Sequence, residues 1–244
     1  MSFQNILVTW DIDGTLILAN RSKCHREAFQ HALKVLTDGK VDRPISDFVQ
    51  SIAGWTDVNI ATTIIKKATG IDATPEILQK FEDDAVKYFS ENFDKSLIVL
   101  PGIAKTLEAL SKIPNVKIGL CTGNYSEIGK TKLRAAEIYK YFEKDQIAGW
   151  GYDKDRANLL KNAISQGEKI IGTKFDHIIH VGDAPTDVQA ALDVGVTSVL
   201  VKTSWHDFPS FPSPRFELSN LEECFDDFIS IVTTGKPINP SLQK

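Results

Sequence analysis

Apolar positions along the chain follow two different rhythms. Ile6 to Trp10 is a short β-prone run that stops at an acidic, Gly-containing turn, the pattern of a buried parallel strand whose carboxyl end opens onto a site. From about Arg21 to Phe93 the apolar residues recur at helical spacing: Ala28, Leu33 and Leu36, then Ile60, Ile64 and Ile65, then Ile77, Phe81, Ala85 and Phe89. Turns are expected near Gly39 to Pro44 and Gly70 to Pro75.

After Pro101-Gly102 the rhythm becomes alternation. A helix from Ile103, a strand Val116 to Leu120, a helix from Ser126, a short strand around Gln146 to Ala148 and a helix from about Arg156 are expected in turn. A strand Ile178 to Val181, a helix ending at Asp193 and a strand Thr197 to Val201 follow. Strands alternating with helices imply right-handed crossovers and a parallel sheet covered on both faces, so the chain reads as α/β with an all-helical block inserted after its first strand. Residues 1–18 and 95–244 then form one discontinuous core and residues 19–94 a helical cap. Ser204 to Pro214, rich in Pro and Ser, reads as surface loop, Asn220 to about Val232 as an amphipathic helix, and Gly235 to Lys244 as a loose tail.

An apolar fraction of 42% over 244 residues can fill such an interior. With 28 Lys plus Arg against 32 Asp plus Glu, the net charge of -4 gives no general reason to expect nucleic acid or an acidic membrane as partner. An anionic substrate must therefore be held locally. Cys24, Cys121 and Cys224 are far apart, odd in number and without a CxxC pair, which suggests neither a disulfide framework nor a thiolate zinc site. No basic stretch leads into a signal-like core, and no run approaches the roughly 20 apolar residues of a membrane span. The expectation is a soluble cytoplasmic protein, monomeric by default with a dimer open.

Three stretches can carry chemistry, each at the end of an expected strand. Asp11-Ile12-Asp13-Gly14-Thr15 places two carboxylates two residues apart, able to divide nucleophilic and proton-transfer work, although an acidic surface turn would look similar. A calcium loop is disfavoured because Gly14 comes too early and the distal glutamate is absent. Cys121-Thr122-Gly123-Asn124 offers a hydroxyl and successive N–H groups before a helix, an anion cradle or an ordinary turn. Val181-Gly182-Asp183-Ala184-Pro185-Thr186-Asp187 supplies further carboxylates, hard oxygen ligands of the kind that suit Mg2+. Asp187 could equally be a helix-start carboxylate.

In this order and spacing, hydrophobic-DIDGTL, CTGN, a basic residue and GDAPTD resemble the haloacid dehalogenase superfamily over roughly residues 6 to 201, with phosphoglycolate phosphatase-like members nearest in pattern. The resemblance implies a Rossmann-like core with a helical cap and magnesium-dependent hydrolysis of a small phosphorylated metabolite. Asp11 would be the nucleophile and Asp13 the general acid and base. Mg2+ would sit among Asp11, the Asp13 carbonyl and Asp183, with Asp187 in or behind the shell. Thr122, Gly123 and Asn124 would hold the phosphoryl oxygens. The family's single basic residue falls on Arg156, with Lys154 as the alternative. Gly54-Trp55-Thr56-Asp57 matches a cap turn that selects substrate in relatives. Many of them carry a basic residue where this chain has Trp55, which weakens the case for a second anionic group such as a glycolate carboxylate. Asp13 argues against dehalogenase chemistry. A phosphosugar mutase of the β-phosphoglucomutase type shares it but usually carries a Ser-Arg pair in the cap turn, absent here. A non-catalytic module that binds a phosphorylated ligand is the reading from a different class. His25, His31, His177 and His180 are expected to be structural or superficial, and Trp10, Trp150 and Trp205 to be packing residues.

Overall fold

The computed structural model describes residues 3–19, 22–50 and 52–244. Arg21, the expected start of the helical block, lies outside them. The first strand, β1 (Ile6–Trp10), is buried along its whole length, as a run with no polar face must be. A two-residue strand β2 (Ile17–Leu18) then leads out of the core.

Three helices follow: α1 (Cys24–Leu36), α2 (Asp57–Thr69) and α3 (Pro75–Asn92), with a 3₁₀ turn at Ile45–Asp47. Their ends are marked in the sequence. Thr56 and Thr74 cap α2 and α3 by accepting from Asn59 N and Ile77 N, Pro75 occupies the first turn of α3, and Gly70 closes α2 in the left-handed region. The facing stripes bury Phe29, Ile64, Phe81 and Phe89 in a core of their own, separate from that of the sheet.

The chain returns through β3 (Ile98–Val99), antiparallel to β2, so a small ribbon ties the two connections between cap and core. It then alternates through α4 (Ile103–Ser111), β4 (Val116–Cys121), α5 (Ser126–Ala135), the single turn α6 (Lys140–Glu143), β5 (Ala148–Gly149) and α7 (Arg156–Ile171). β6 (His177–Gly182), α8 (Pro185–Val194), β7 (Thr197–Val201), β8 (Phe216–Leu218) and α9 (Phe225–Thr234) complete it. The six-stranded sheet has the order β5-β4-β1-β6-β7-β8, and every pairing in it is parallel.

Alternate residues of β1 serve opposite faces. Val8 and Trp10 pack with Leu107 and Phe228 of α4 and α9, whereas Leu7 packs with Ala163 of α7. This α/β sheet with an inserted helical cap agrees with the expected architecture. Two details differ. The tail is not loose: Phe216 and Gln243 form an antiparallel bridge and Lys244 N donates to Arg215 O at 3.2 Å, so the C-terminus closes against β8, a strand absent from the sequence reading. The last helix starts at Phe225 because Asn220 Oδ1 accepts from Glu222 N and Glu223 N, stopping the chain in a capped turn first.

Candidate active site

The register puts β1 at the centre of the site. Trp10 is level with Leu120 and Val181, so Asp11 emerges beside the carboxyl ends of β4 and β6, where strand ends of an open α/β sheet form a crevice. Asp11, Asp183 and Asp187 are buried there, with oxygens all within 4.8 Å of one another. Gly14 holds φ +88°, and a Cβ on it would overlap the Asp183 carboxylate, so this glycine allows the two acidic segments to approach. Thr15 Oγ1 donates to Asp183 Oδ1 at 3.2 Å, and Thr203 Oγ1 donates to Gly14 O, fixing the turn from below.

Arg156, at the first position of α7, reaches this cluster. Its buried guanidinium lies 3.3 Å from Asp11 Oδ1 and also donates to Asp187 Oδ1 and to Gly54 O of the cap. Lys154 lines a second, smaller cleft that Gly54, Trp55, Asp155, Asp193 and Arg156 also border. Asp187 is fully engaged: its Oδ1 also accepts from His180 Nε2 at 3.3 Å and its Oδ2 from Ala184 N at 3.0 Å.

Thr122, wholly buried, accepts from Asn124 Nδ2 at 2.9 Å, and Gly123 O accepts from Asp57 N of α2 at 2.7 Å. A Cβ on Gly123 would collide with Trp55 O, so the cap turn lies directly on this loop. Asp13 projects beside it, accepting from Asn124 Nδ2 at 2.9 Å.

Lys132 of α5 is the residue that sequence reasoning missed. Its side chain is 3% exposed, and its ammonium donates to Asp13 Oδ2 (2.6 Å), Asn124 Oδ1 (2.7 Å) and His25 Nδ1 (3.2 Å). Three donors meet three acceptors, so the group is satisfied. With Nδ1 accepting, Nε2 of His25 donates to Asp57 Oδ2 at 3.2 Å, and Asp57 also accepts from Tyr125 N at 2.7 Å. This chain of contacts crosses from core to cap and back. The available signal was position: Lys132 falls on the buried face of α5 with Ile128, Gly129 and Leu133, where a charge without a partner would be costly. His25 is thus part of the cavity wall rather than a superficial histidine. Trp205, 39% exposed, lines the same cavity and is no core-packing residue, whereas Trp10 is buried against Phe228.

Burial, then the charge of Asp187, pushes the Asp11 carboxyl up to about 6 despite Arg156. Burial and the charges of Asp11 and Asp187 likewise push Asp183 up. Burial opposes ionisation of Asp187 and Asp13 too, but Arg156 and His180 hold the first below the ordinary carboxylate range and Lys132 the second. Among the described residues, four carboxylates at the floor of the site thus lie beside the side-chain cations Arg156 and Lys132, and a further positive charge there would favour an anion. The pair Asp11 and Asp183 supplies hard oxygens close enough for a small divalent cation, and their resistance to ionising together is relieved by one.

The cavity above these groups holds about 350 Å³ and is walled on the other side by the cap. A family model described as haloacid dehalogenase-like hydrolase matches residues 7–195. Over 137 residues, 53% of this chain, the sequence is 25% identical to the provisionally named pyrophosphatase PpaX of Caldanaerobacter subterraneus subsp. tengcongensis, and the match spans 61% of that relative's length. A hydrolase from Pseudomonas syringae superposes with a TM-score of 0.62 at 21% identity, covering 91% of this chain and 98% of that one. The β-phosphoglucomutase PgmB of Clostridium difficile superposes with a TM-score of 0.65 at 16% identity, covering 93% and 95% respectively. At these identities the structural likenesses speak for the fold.

Proposed function

We propose, for a chain that belongs to the haloacid dehalogenase-like hydrolase family, that it hydrolyses small phosphate monoesters with the help of Mg2+ through an aspartyl-phosphate formed on Asp11. The observation that carries the reading is the division of labour between two neighbouring carboxylates. Asp11 is buried at a strand end against Arg156, while Asp13 is turned aside and held by Lys132 and Asn124. These surroundings support a reading in which Asp11 attacks and Asp13 moves protons.

In the first step an Asp11 oxygen forms a bond to phosphorus as the bond to the ester oxygen breaks. The departing oxygen takes a proton from Asp13. In the second, Asp13 takes a proton from water as that water attacks phosphorus, releasing inorganic phosphate and restoring the Asp11 carboxylate. Although burial opposes its ionisation, Lys132 holds the Asp13 carboxyl below the ordinary carboxylate range. A phosphate dianion beside it opposes its negative charge and offsets the pull of Lys132, which favours the protonated form needed for the first step. Thr122 and the N–H groups of Gly123 and Asn124 fit the role of cradling phosphoryl oxygens, and Arg156 that of screening Asp11 from them.

Asp11 and Asp183 would hold Mg2+ directly, with the Asp13 carbonyl, and Asp187 would stand behind, since both of its oxygens are already bonded. When bound, the ion supplies charge neutralisation at the transferring group. The residues 19–94 cap would close the site and select the alcohol. Phosphate release from an ester panel, with and without Mg2+, tests this: release should need the ion, stop with EDTA and be abolished in Asp11→Asn. Turnover retained in that variant overturns the nucleophile.

A further inference from the structure

The cavity wall beyond the phosphoryl end is unusual in what it leaves unspent. Among the described residues, the polar side chains His25, Asp57, Lys132 and Asn124 line it there and are bonded to one another, while the half-buried Ser22 and His206 lie nearer the rim. Asp57 is the one lining carboxylate apart from Asp11, Asp13 and Asp183. Apolar side chains of the cap, Phe29, Ile45, Ile52, Ile60, Phe89 and Phe93, make up much of the described wall on that side. Across from it the loop after β7 contributes Trp205 and Phe208, part of a run of rings in which Trp205 and His206 are 5.0 Å apart and Phe208 and Phe211 5.5 Å. Exposed Lys23 and Arg26 also border the cavity, placing positive charge on the approach of an anion.

We infer that the site takes phosphate monoesters whose alcohol carries an aromatic or otherwise planar apolar group, in preference to polyols such as sugars. The inference rests on the monoesterase reading of the same site. A sugar brings several hydroxyls into a chamber where His25, Asp57, Lys132 and Asn124 are engaged with one another. Each hydroxyl stripped of water without a partner costs about tenfold in affinity or more. An aromatic ring has no such demand, gains by leaving water, and meets aromatic side chains from both the cap and the loop after β7. A volume near 350 Å³ suits one ring system rather than an extended chain.

The test compares kcat/KM for benzyl phosphate and glucose 6-phosphate, both esters of primary alcohols, with p-nitrophenyl phosphate as a reference for the chemistry. Benzyl phosphate should exceed the sugar ester by at least about tenfold. Trp205→Ala, a change in an exposed loop, should cost benzyl phosphate several-fold more than it costs phosphoglycolate. Binding of benzylphosphonate to the Asp11→Asn protein, followed by calorimetry, should be weakened by the same loop substitution. Equal or better use of glucose 6-phosphate, with p-nitrophenyl phosphate hydrolysed, overturns the aromatic preference and leaves the phosphatase reading standing. Failure to release phosphate from any ester, p-nitrophenyl phosphate included, overturns the phosphatase reading and the inference with it.

Discussion

Replacing Lys132 by Met separates the chemistry of Asp13 from the integrity of the fold. The substitution keeps most of the volume but removes a buried ammonium that donates to Asp13 at 2.6 Å, to Asn124 at 2.7 Å and to His25 at 3.2 Å. Breaking a fully buried ion pair costs about 3–5 kcal/mol. The Asp13 side chain is 26% exposed and retains Asn124, so roughly 1–3 kcal/mol is expected here. For activity the larger loss is orientation: Asp13 keeps one of two donors and Asn124 loses the partner that fixes its amide. General acid catalysis is worth about 10² to 10⁴, so a loss on the order of 10² in kcat/KM is expected for an alkyl phosphate. That ratio covers steps up to formation of the aspartyl-phosphate, where the leaving oxygen needs its proton. p-Nitrophenolate leaves without one, so p-nitrophenyl phosphate should lose far less. Lys132→Arg, which keeps the charge, should recover part of the alkyl ester rate. Equal losses on the two esters, with the folded protein intact by thermal melting, would refute the positioning of Asp13 and leave Lys132 a general phosphate-binding charge.

Three further changes probe separate features. Gly14→Ala forces a side chain into φ +88° and onto the Asp183 carboxylate, so Mg2+ activation should be lost even if the protein folds; normal activation would show that the two acidic segments need not touch. Asp183→Asn should raise the Mg2+ concentration for half-activation at least about tenfold, measured by phosphate release against metal, and an unchanged value would exclude it as a ligand. His177 stacks on Phe3 and donates from Nε2 to Ile231 O, and burial holds its imidazole below the ordinary 6.5. Below about pH 6.5 the unfolded chain therefore gains a proton that the native chain refuses, and stability falls as pH drops towards the native value. The thermal advantage of wild type over His177→Gln should shrink between pH 7.5 and 5.5, and a constant gap would refute the assignment.

Elements whose residues agree at every level were legible in the sequence. β1 is five consecutive apolar or β-branched residues, and α3 has Thr74, Pro75 and a helical stripe all pointing one way. β8 is three residues long and β2 and β3 only two each, too short for any alternation to register; β8 forms on the edge of β7, and β2 and β3 form because the fold brings the two cap connections side by side. The tail was misread for a related reason: nothing in its polar sequence foretells pairing with Phe216, because the partner is set by the fold.

The site divides along the same line. Asp11 follows the end of β1, Asp183 follows Gly182 at the end of β6 and Asp187 lies in the first turn of α8, so local sequence places them and the topology then gathers the strands. Pattern alone favoured Arg156 over Lys154; what the fold adds is that Arg156, at the first position of α7, lies 3.3 Å from Asp11 Oδ1. Lys132 and His25 stand on α5 and α1, 107 residues apart in sequence, and no local motif reports their contact. What their meeting does is couple the cap to the chemistry. Asp13 is held by Lys132, and Lys132 is completed by a histidine from the cap, so a cap displaced from the core would leave that ammonium one acceptor short. The same docking brings Asp57 N onto Gly123 O, within the loop proposed to cradle phosphate. An alcohol that fills the apolar chamber and holds the cap down therefore acts on the orientation of Asp13 as well as on its own binding, and selectivity should fall on turnover as well as on affinity.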